Sequence, residues 1–314
     1  MALTGAPVHH GGMRALPRLV LLVVGVALLA GLLAAPASAA ITPNPARADA
    51  DKPAGYKNGC HLSQRSTTPK ACVYGDKNAR RTITLIGDSK ARQWLPTLDR
   101  YGTKNKWRVV AHTKSACSFS QAELPLPGSQ KRYSACMTWN DLLLKRLKKD
   151  KADVVVVALY NKYARRTTTA RTGEQRRVAM AKGLRSSWRS VTRTGARVVV
   201  LNSSPYIGRP YPGRPRWEAP DCVAAHRSDP QACDVPASRA LTARSVWTET
   251  DRARVLNRMK RVDLIDLNPV LCGPEVCPVV IDDVVVYRDN HHLTATAARW
   301  LYPYLRTQLT PIIG

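Results

Sequence analysis

Ala152-Asp153-Val154-Val155-Val156-Val157-Ala158 is the stretch on which the fold turns. A strand covered on both faces has no solvent side on which to alternate polar residues, so it reads as a continuous apolar run. Related β-branched runs lie at Thr82 to Ile86, Arg108 to His112, Arg197 to Leu201 and Val262 to Ile265, and the central strand extends from Asp153 to Leu159. Between them, Ala91 to Tyr101, Thr138 to Lys149, Glu174 to Thr194 and Ala240 to Lys260 carry apolar residues at helical spacing. This alternation predicts an α/β fold, a mostly parallel sheet covered by helices on both faces. A last helix is expected to start near Thr294.

Toward the N-terminus the pattern stops. Arg14 and Arg18 precede an uncharged apolar run from Leu19 to Ala35 that closes on Ala37-Ser38-Ala39. A basic region, an apolar core and a small-x-small exit describe a secretory signal peptide, so residues 1–39 are set aside from the fold. An uncleaved membrane anchor is the competing reading, because the run approaches the length of a spanning helix. Residues 41–57, rich in Pro, Ala and charge, read as a flexible stalk. Residues 40–80 as a whole read as that stalk plus a disulfide-pinned lead-in, and 81–314 as the domain proper. The roughly 275 residues left are enough for one sizeable core.

Eight cysteines, Cys60, Cys72, Cys117, Cys136, Cys222, Cys233, Cys272 and Cys277, all fall in the exported part. Disulfides between sequence neighbours (60/72, 117/136, 222/233, 272/277) are the expected use, although about 105 connectivities exist for eight cysteines. A zinc site is the rival, disfavoured by an oxidising exterior and by the lack of facing C-x-x-C pairs. Pro205 to Pro236, with Tyr206, Tyr211 and Trp217, is expected to be an ordered insertion near the mouth of the site. Cys272 to Tyr287 reads as a disulfide-pinned hairpin whose strand Val284-Val285-Val286 feeds into Asp289.

The formal charge is +27, about +25 once Arg14 and Arg18 are removed. Outside a cell such a chain meets anionic wall polymers and lipid headgroups, while a nucleic-acid partner would require it to be inside. The alternative is a merely solvated basic surface, since the charges run from Lys52 to Arg306.

Chemistry concentrates at two places. Leu85-Ile86-Gly87-Asp88-Ser89 is an apolar strand running into a turn and then a helix from about Lys90. Ligands of open α/β sheets sit at the carboxyl ends of strands, where such a serine presents its hydroxyl and the helix start offers free N–H groups to an oxyanion. The competing reading is that Asp88 or Ser89 only caps the helix. The second place is Tyr287-Arg288-Asp289-Asn290-His291-His292-Leu293-Thr294. An Asp three residues before a His can hold the imidazole Nδ1–H and leave Nε2 to take a proton from a serine. Against this stands a capping Asp beside two exposed histidines. His292 is preferred to His291 for its spacing from Asp289. A metal site on the two histidines lacks the i, i+4 spacing that puts two ligands on one helical face.

From Thr82 to Leu309 the chain resembles the SGNH hydrolase superfamily, especially SGNH domains fused to acyltransferase-3 membrane proteins. The resemblance rests on Leu85 to Ser89, on Cys117, Cys136 and Trp139, and on Asp289-x-x-His292-Leu293-Thr294. It implies a three-layer flavodoxin-like sandwich, Ser89 as nucleophile, Asp289 and His292 as its partners, and the transfer or removal of acyl groups, often acetyl, on carbohydrate hydroxyls. No cofactor or metal is expected; an acylated carbohydrate, and a membrane acyl donor, are the partners implied. There are departures. Lys90 stands where members of this subgroup often place His, and either binds an anionic substrate or does nothing. The oxyanion glycine has no clear counterpart near Ser115-Ala116-Cys117, and the Gly-x-Asn-Asp block is missing. Asn161, at the end of the third strand, is the nearest substitute and is equally readable as a turn residue. The backbone N–H groups of Ser89 and Lys90 are the remaining donors. Acyl transfer through Ser89 is therefore the leading expectation, with a non-catalytic module that binds anionic wall polymers as the alternative.

Overall fold

The computed structural model describes residues 40–208, 218–241 and 259–314. The signal segment 1–39, most of the helix expected over Ala240 to Lys260, and Tyr211 and Trp217 of the insertion lie outside the described residues. In chain order the main elements are β1 (His61–Leu62), β2 (Cys72–Gly75), β3 (Thr82–Gly87), α1 (Ser89–Arg92), α2 (Leu95–Asn105), β4 (Arg108–Lys114), α3 (Ser134–Asp150), β5 (Val154–Ala158), α4 (Gly173–Thr192), β6 (Arg197–Leu201), β7 (Val262–Ile265), α5 (Ala295–Trp300) and α6 (Tyr302–Ile313). The five long strands run parallel in the order β4-β3-β5-β6-β7. The strand order reverses at β3, the doubly wound arrangement in which ligands collect at the strand ends flanking the reversal.

The valine run of β5 is buried at all five positions. Val154 and Val156 face one core with Leu85, Trp94, Leu98 and Leu305; Val155 and Val157 face the other with Trp139, Leu143, Leu184 and Trp188. Two aromatic-rich cores on opposite faces make the three layers, and they hold the strand ends in fixed register: Gly87 pairs with Thr113 on one side and Ala158 on the other. Truncating one fully buried indole such as Trp139 to Ala would cost about 3–5 kcal/mol.

The helix expected over Ala91 to Tyr101 is two helices. Pro96 has no N–H to give Arg92, so α1 stops, Trp94 N–H turns back to Ala91 O at 3.0 Å, and α2 restarts at Leu95.

The four cysteine pairs are the sequential ones, 60–72, 117–136, 222–233 and 272–277. Cys60–Cys72 joins β1 to β2, which share the outer edge of β4, one parallel and the other antiparallel. In the insertion, Cys222–Cys233 ties the helix Ala219–Ala225 to a 3-10 turn at Pro230–Cys233. The hairpin before Asp289 pairs Val280–Ile281 with Val284–Val285, and the cysteine-pinned Val276–Cys277 pairs instead with Val235–Pro236 of the insertion.

Residues 41–57 are not a stalk. Pro45–Ala50 forms a 3-10 helix with Ala48 fully buried, and Thr42 exchanges backbone hydrogen bonds with Asp283 (2.7 Å) and Val285 (2.8 Å). Backbone pairing holds this segment, which is why its low apolar content misleads. Among the described residues, no helix is long and apolar enough to cross a membrane.

Candidate active site

At the end of β3, Gly87 takes φ +143°, and a Cβ there would meet Ala158 O at 2.1 Å. Only glycine lets the chain turn this close to β5. Asp88 follows, fully buried, and its carboxylate accepts from Lys90 N–H (2.7 Å) and Tyr160 N–H (3.1 Å), binding the ends of β3 and β5 together. Asp88 therefore is the helix cap. Ser89, freed of that duty, opens α1 with its hydroxyl at the strand ends.

The C-terminal turn arrives from the other direction. Tyr287 bridges to Leu293, Arg288 N–H donates to His292 O at 3.0 Å, and the fully buried Leu293 anchors the loop. Within it Asp289 Oδ1 accepts from the backbone N–H groups of His291 (2.9 Å) and His292 (2.7 Å). Its other oxygen, Oδ2, lies 2.6 Å from His292 Nδ1, and His292 Nε2 lies 2.8 Å from Ser89 Oγ. Some two hundred residues apart in sequence, serine, imidazole and carboxylate form one unbroken hydrogen-bonded chain. Its geometry requires the imidazole to be protonated at Nδ1 and to accept at Nε2.

The electrostatics suit that tautomer. Burial lowers the His292 pKa to about 4, with the Asp289 hydrogen bond and charge opposing, so the ring is neutral near pH 7. Burial alone would raise Asp289, but the His292 hydrogen bond, the neighbouring imidazoles and Arg288 hold it well below the usual carboxylate range. Arg288, itself buried, sits 3.4 Å from Asp289 Oδ2.

His291 has a different place. Its ring stacks on Tyr160 (4.9 Å) and Tyr206 (5.7 Å) and lies 3.9 Å from the His292 ring. Lys162 Nζ stands 3.3 Å over Tyr206, so an aromatic shelf with a cation at its edge flanks the serine.

Lys90 neither reaches out to a substrate nor idles. It is fully buried, and its Nζ donates to Ser204 Oγ at 2.7 Å and to the backbone carbonyl of His291. Its amide is taken by Asp88, so Lys90 does not supply the oxyanion donor expected of it. The Ser89 N–H has no acceptor among the described residues and remains. Asn161 opens a 3-10 helix (Asn161–Arg165) directly after β5. A group missed in the sequence is the Ala116 N–H, likewise without an acceptor among the described residues. It lies just beyond β4, where Ala116 adopts the left-handed backbone (φ 52°) that ordinarily favours glycine. The missing glycine concealed it, because an alanine in that conformation has no signature in sequence.

Asp289, His291 and His292 bring one ligand atom each within 4.8 Å of one another. A cation there would compete with the Asp289–His292 and His292–Ser89 hydrogen bonds, so the same groups cannot serve both arrangements at once.

A family model described as the SGNH domain (fused to AT3 domains) matches residues 59–307, and the chain belongs to that family. It is thus of the acyl esterase and acyltransferase kind. The periplasmic domain of a lipopolysaccharide acetyltransferase from Salmonella ser. Paratyphi A superimposes with a TM-score of 0.51 at 14% identity, covering 75% of this chain and 85% of that one. A putative acylhydrolase from Bacteroides fragilis gives a TM-score of 0.40 at 12% identity, covering 77% and 91%. At 14% identity the likeness to the Salmonella domain is one of fold. No curated protein sequence matches the chain.

Proposed function

We propose that this protein is an exported serine esterase or O-acyltransferase that acts on acyl esters, acetyl foremost, of cell-envelope carbohydrate. The observation that carries the reading is the Ser89–His292–Asp289 chain, at 2.8 Å and 2.6 Å. Ser89 Oγ attacks the ester carbonyl while His292 Nε2 takes its proton, and the carbonyl π pair moves onto the oxygen. In this reading the Ser89 N–H donates to that oxyanion, and the Ala116 N–H just beyond β4 is a second candidate; one such donor is typically worth on the order of a hundredfold to a thousandfold in rate. Collapse expels the alcohol, protonated by His292, and leaves an acyl-Ser89 ester. Water or a sugar hydroxyl, deprotonated by His292, then attacks the acyl carbon and regenerates the serine. Asp289 keeps the ring oriented and stabilises the imidazolium throughout.

Four disulfides support an extracytoplasmic setting, since a reducing cytosol would not maintain them. Acetyl transfer to an envelope polysaccharide also accords with the named activity of the Salmonella neighbour. The test is labelling with a fluorophosphonate probe and turnover of acetylated sugar esters. Wild type should be labelled and active, and Ser89→Ala neither; equal labelling of the two refutes the nucleophile, and unchanged hydrolysis in His292→Ala refutes the base.

A further inference from the structure

Beyond the serine, the 3-10 helix Asn161–Arg165 carries the chain away from the site toward a polar cavity of about 270 Å³ lined by Gln130, Arg165, Arg166, Thr168 and Arg176, among others. Three guanidinium groups line one small cavity, Arg166 exposed and Arg165 and Arg176 half-buried, so water screens part of their mutual repulsion and an acid would relieve the rest. Among the described residues, no acid does so. Glu123, whose Oε1 lies 3.4 Å from Thr168 Oγ1, is paired with Arg132 at 3.0 Å. Arg176 is fixed in place through the carbonyls of Ala170 (3.1 Å) and Arg165 (3.4 Å), while among the described residues no hydrogen bond or ion pair engages the side chain of Arg165 or Arg166. Guanidinium forks of this kind match the planar oxygens of carboxylate or phosphate.

The cavity is joined to the reacting groups through the segment that follows β5. Tyr160 stacks on His291 and donates its N–H to Asp88, and Arg166 N–H donates to Tyr163 O at 3.0 Å. Burial raises the phenols of Tyr160 and Tyr163, and the Arg166 charge, pulling the other way, reaches both. Arg165 lies five positions beyond Tyr160 along the 3-10 helix, a path of roughly 10 Å and a span that a short oligosaccharide covers.

We propose that the cavity formed by Arg165, Arg166 and Arg176 is a subsite for an anionic group, carboxylate or phosphate, carried by the same glycan whose acyl ester is presented to Ser89. This rests on the acyl-transfer reading above and makes the preferred substrate an acidic glycan. The high positive charge of the chain then acts in two stages, drawing a polyanion to the surface and fixing its register in the pocket.

The experiment compares partially acetylated oligogalacturonide with partially acetylated xylo-oligosaccharide, the acidic and neutral members of a pair. Wild type should favour the acidic one in kcat/KM through a lower KM. In Arg165→Ala/Arg166→Ala the acidic-to-neutral ratio should fall roughly ten- to hundredfold, the loss expected for charged hydrogen bonds. Arg165→Lys/Arg166→Lys should recover part of it. A phosphate-bearing acetylated glycan, run in parallel, decides which anion fits better. A wild type with no acidic preference, or a double variant whose ratio is unchanged, overturns the proposal. Binding of unacetylated oligogalacturonide to Ser89→Ala, followed by titration calorimetry, separates the two readings. If no ester is turned over but the oligomer binds and the double arginine variant loses it, the subsite stands and the acyl-transfer reading fails; absence of binding removes the subsite.

Discussion

Lys90 Nζ donates to the backbone carbonyl of His291, so the residue after the proposed nucleophile is tied to the residue before the proposed base. The same ammonium holds Ser204 Oγ at 2.7 Å, and Ser204 Oγ in turn donates to His291 O at 3.2 Å. Three segments, after β3, after β6 and before α5, therefore meet at one buried cation. Burial drives the Lys90 pKa down to about 7, against the pull of Asp289 and Asp88.

Lys90→Met keeps the length of the side chain and removes both of its donated bonds. With the Asp289–His292 turn no longer pinned, kcat should fall roughly ten- to hundredfold, the scale of loss when reacting groups drift by about an ångström. A second readout separates positioning from general destabilisation. The Lys90 charge lowers the His292 pKa, so its removal should shift the acid limb of the pH profile upward. A variant with wild-type kcat and an unmoved acid limb would show that the tie does nothing for the site.

The pH dependence of the wild type follows from His292. Its folded pKa lies near 4, below the 6.5 of a free imidazole, chiefly because burial disfavours the charged ring. Protonation disables the base, so activity is present above that pKa and lost as the pH falls through it. The His292 limb of the kcat/KM profile should thus bend only near 4 to 5, while any change between pH 7 and 6 reports Lys90, near 7, and the buried Asp88, raised to about 6. Absence of a bend near 4 to 5, with activity already lost at pH 6, would place His292 in water. Asp289→Asn should reduce kcat on the order of a thousandfold or more by favouring the wrong tautomer, with the fold intact by circular dichroism.

The parallel sheet was legible because β5 and its neighbours are buried on both faces, and a buried parallel strand has little choice of composition. The meeting of Ser89, Asp289 and His292 in one hydrogen-bonded chain was legible as a candidate because their local spacings suggest it. What escaped is non-local. The buried position of Lys90 depends on Ser204 and His291, and the left-handed turn at Ala116 is a backbone angle that an alanine does not announce. The segment 41–57 escaped for a related reason: its order comes from main-chain pairing with a hairpin some 240 residues away, which composition does not encode.

That segment yields the last prediction. Asp51 O accepts from Ala295 N–H at 2.9 Å and Asp51 Oδ2 from Thr296 N–H at 2.8 Å, while Thr294 Oγ1 caps Ala297 N–H at 2.9 Å. The free amides at the start of α5 are thereby satisfied from a stretch that sequence reading assigns to a stalk. Since α5 begins three residues after His292, its N-terminus is the platform on which the imidazole stands. Asp51→Ala should cost about 1 kcal/mol, the usual worth of a helix cap, lowering Tm by about 2–4 °C for a domain of this size. Asp51→Asn, which retains an acceptor, should lose less. Deleting residues 41–52 removes the Thr42 strand pairing as well and should cost more than Asp51→Ala, with activity falling alongside. A stalk would predict an unchanged Tm in all three, so calorimetry of these variants distinguishes a tether from a structural part of the site.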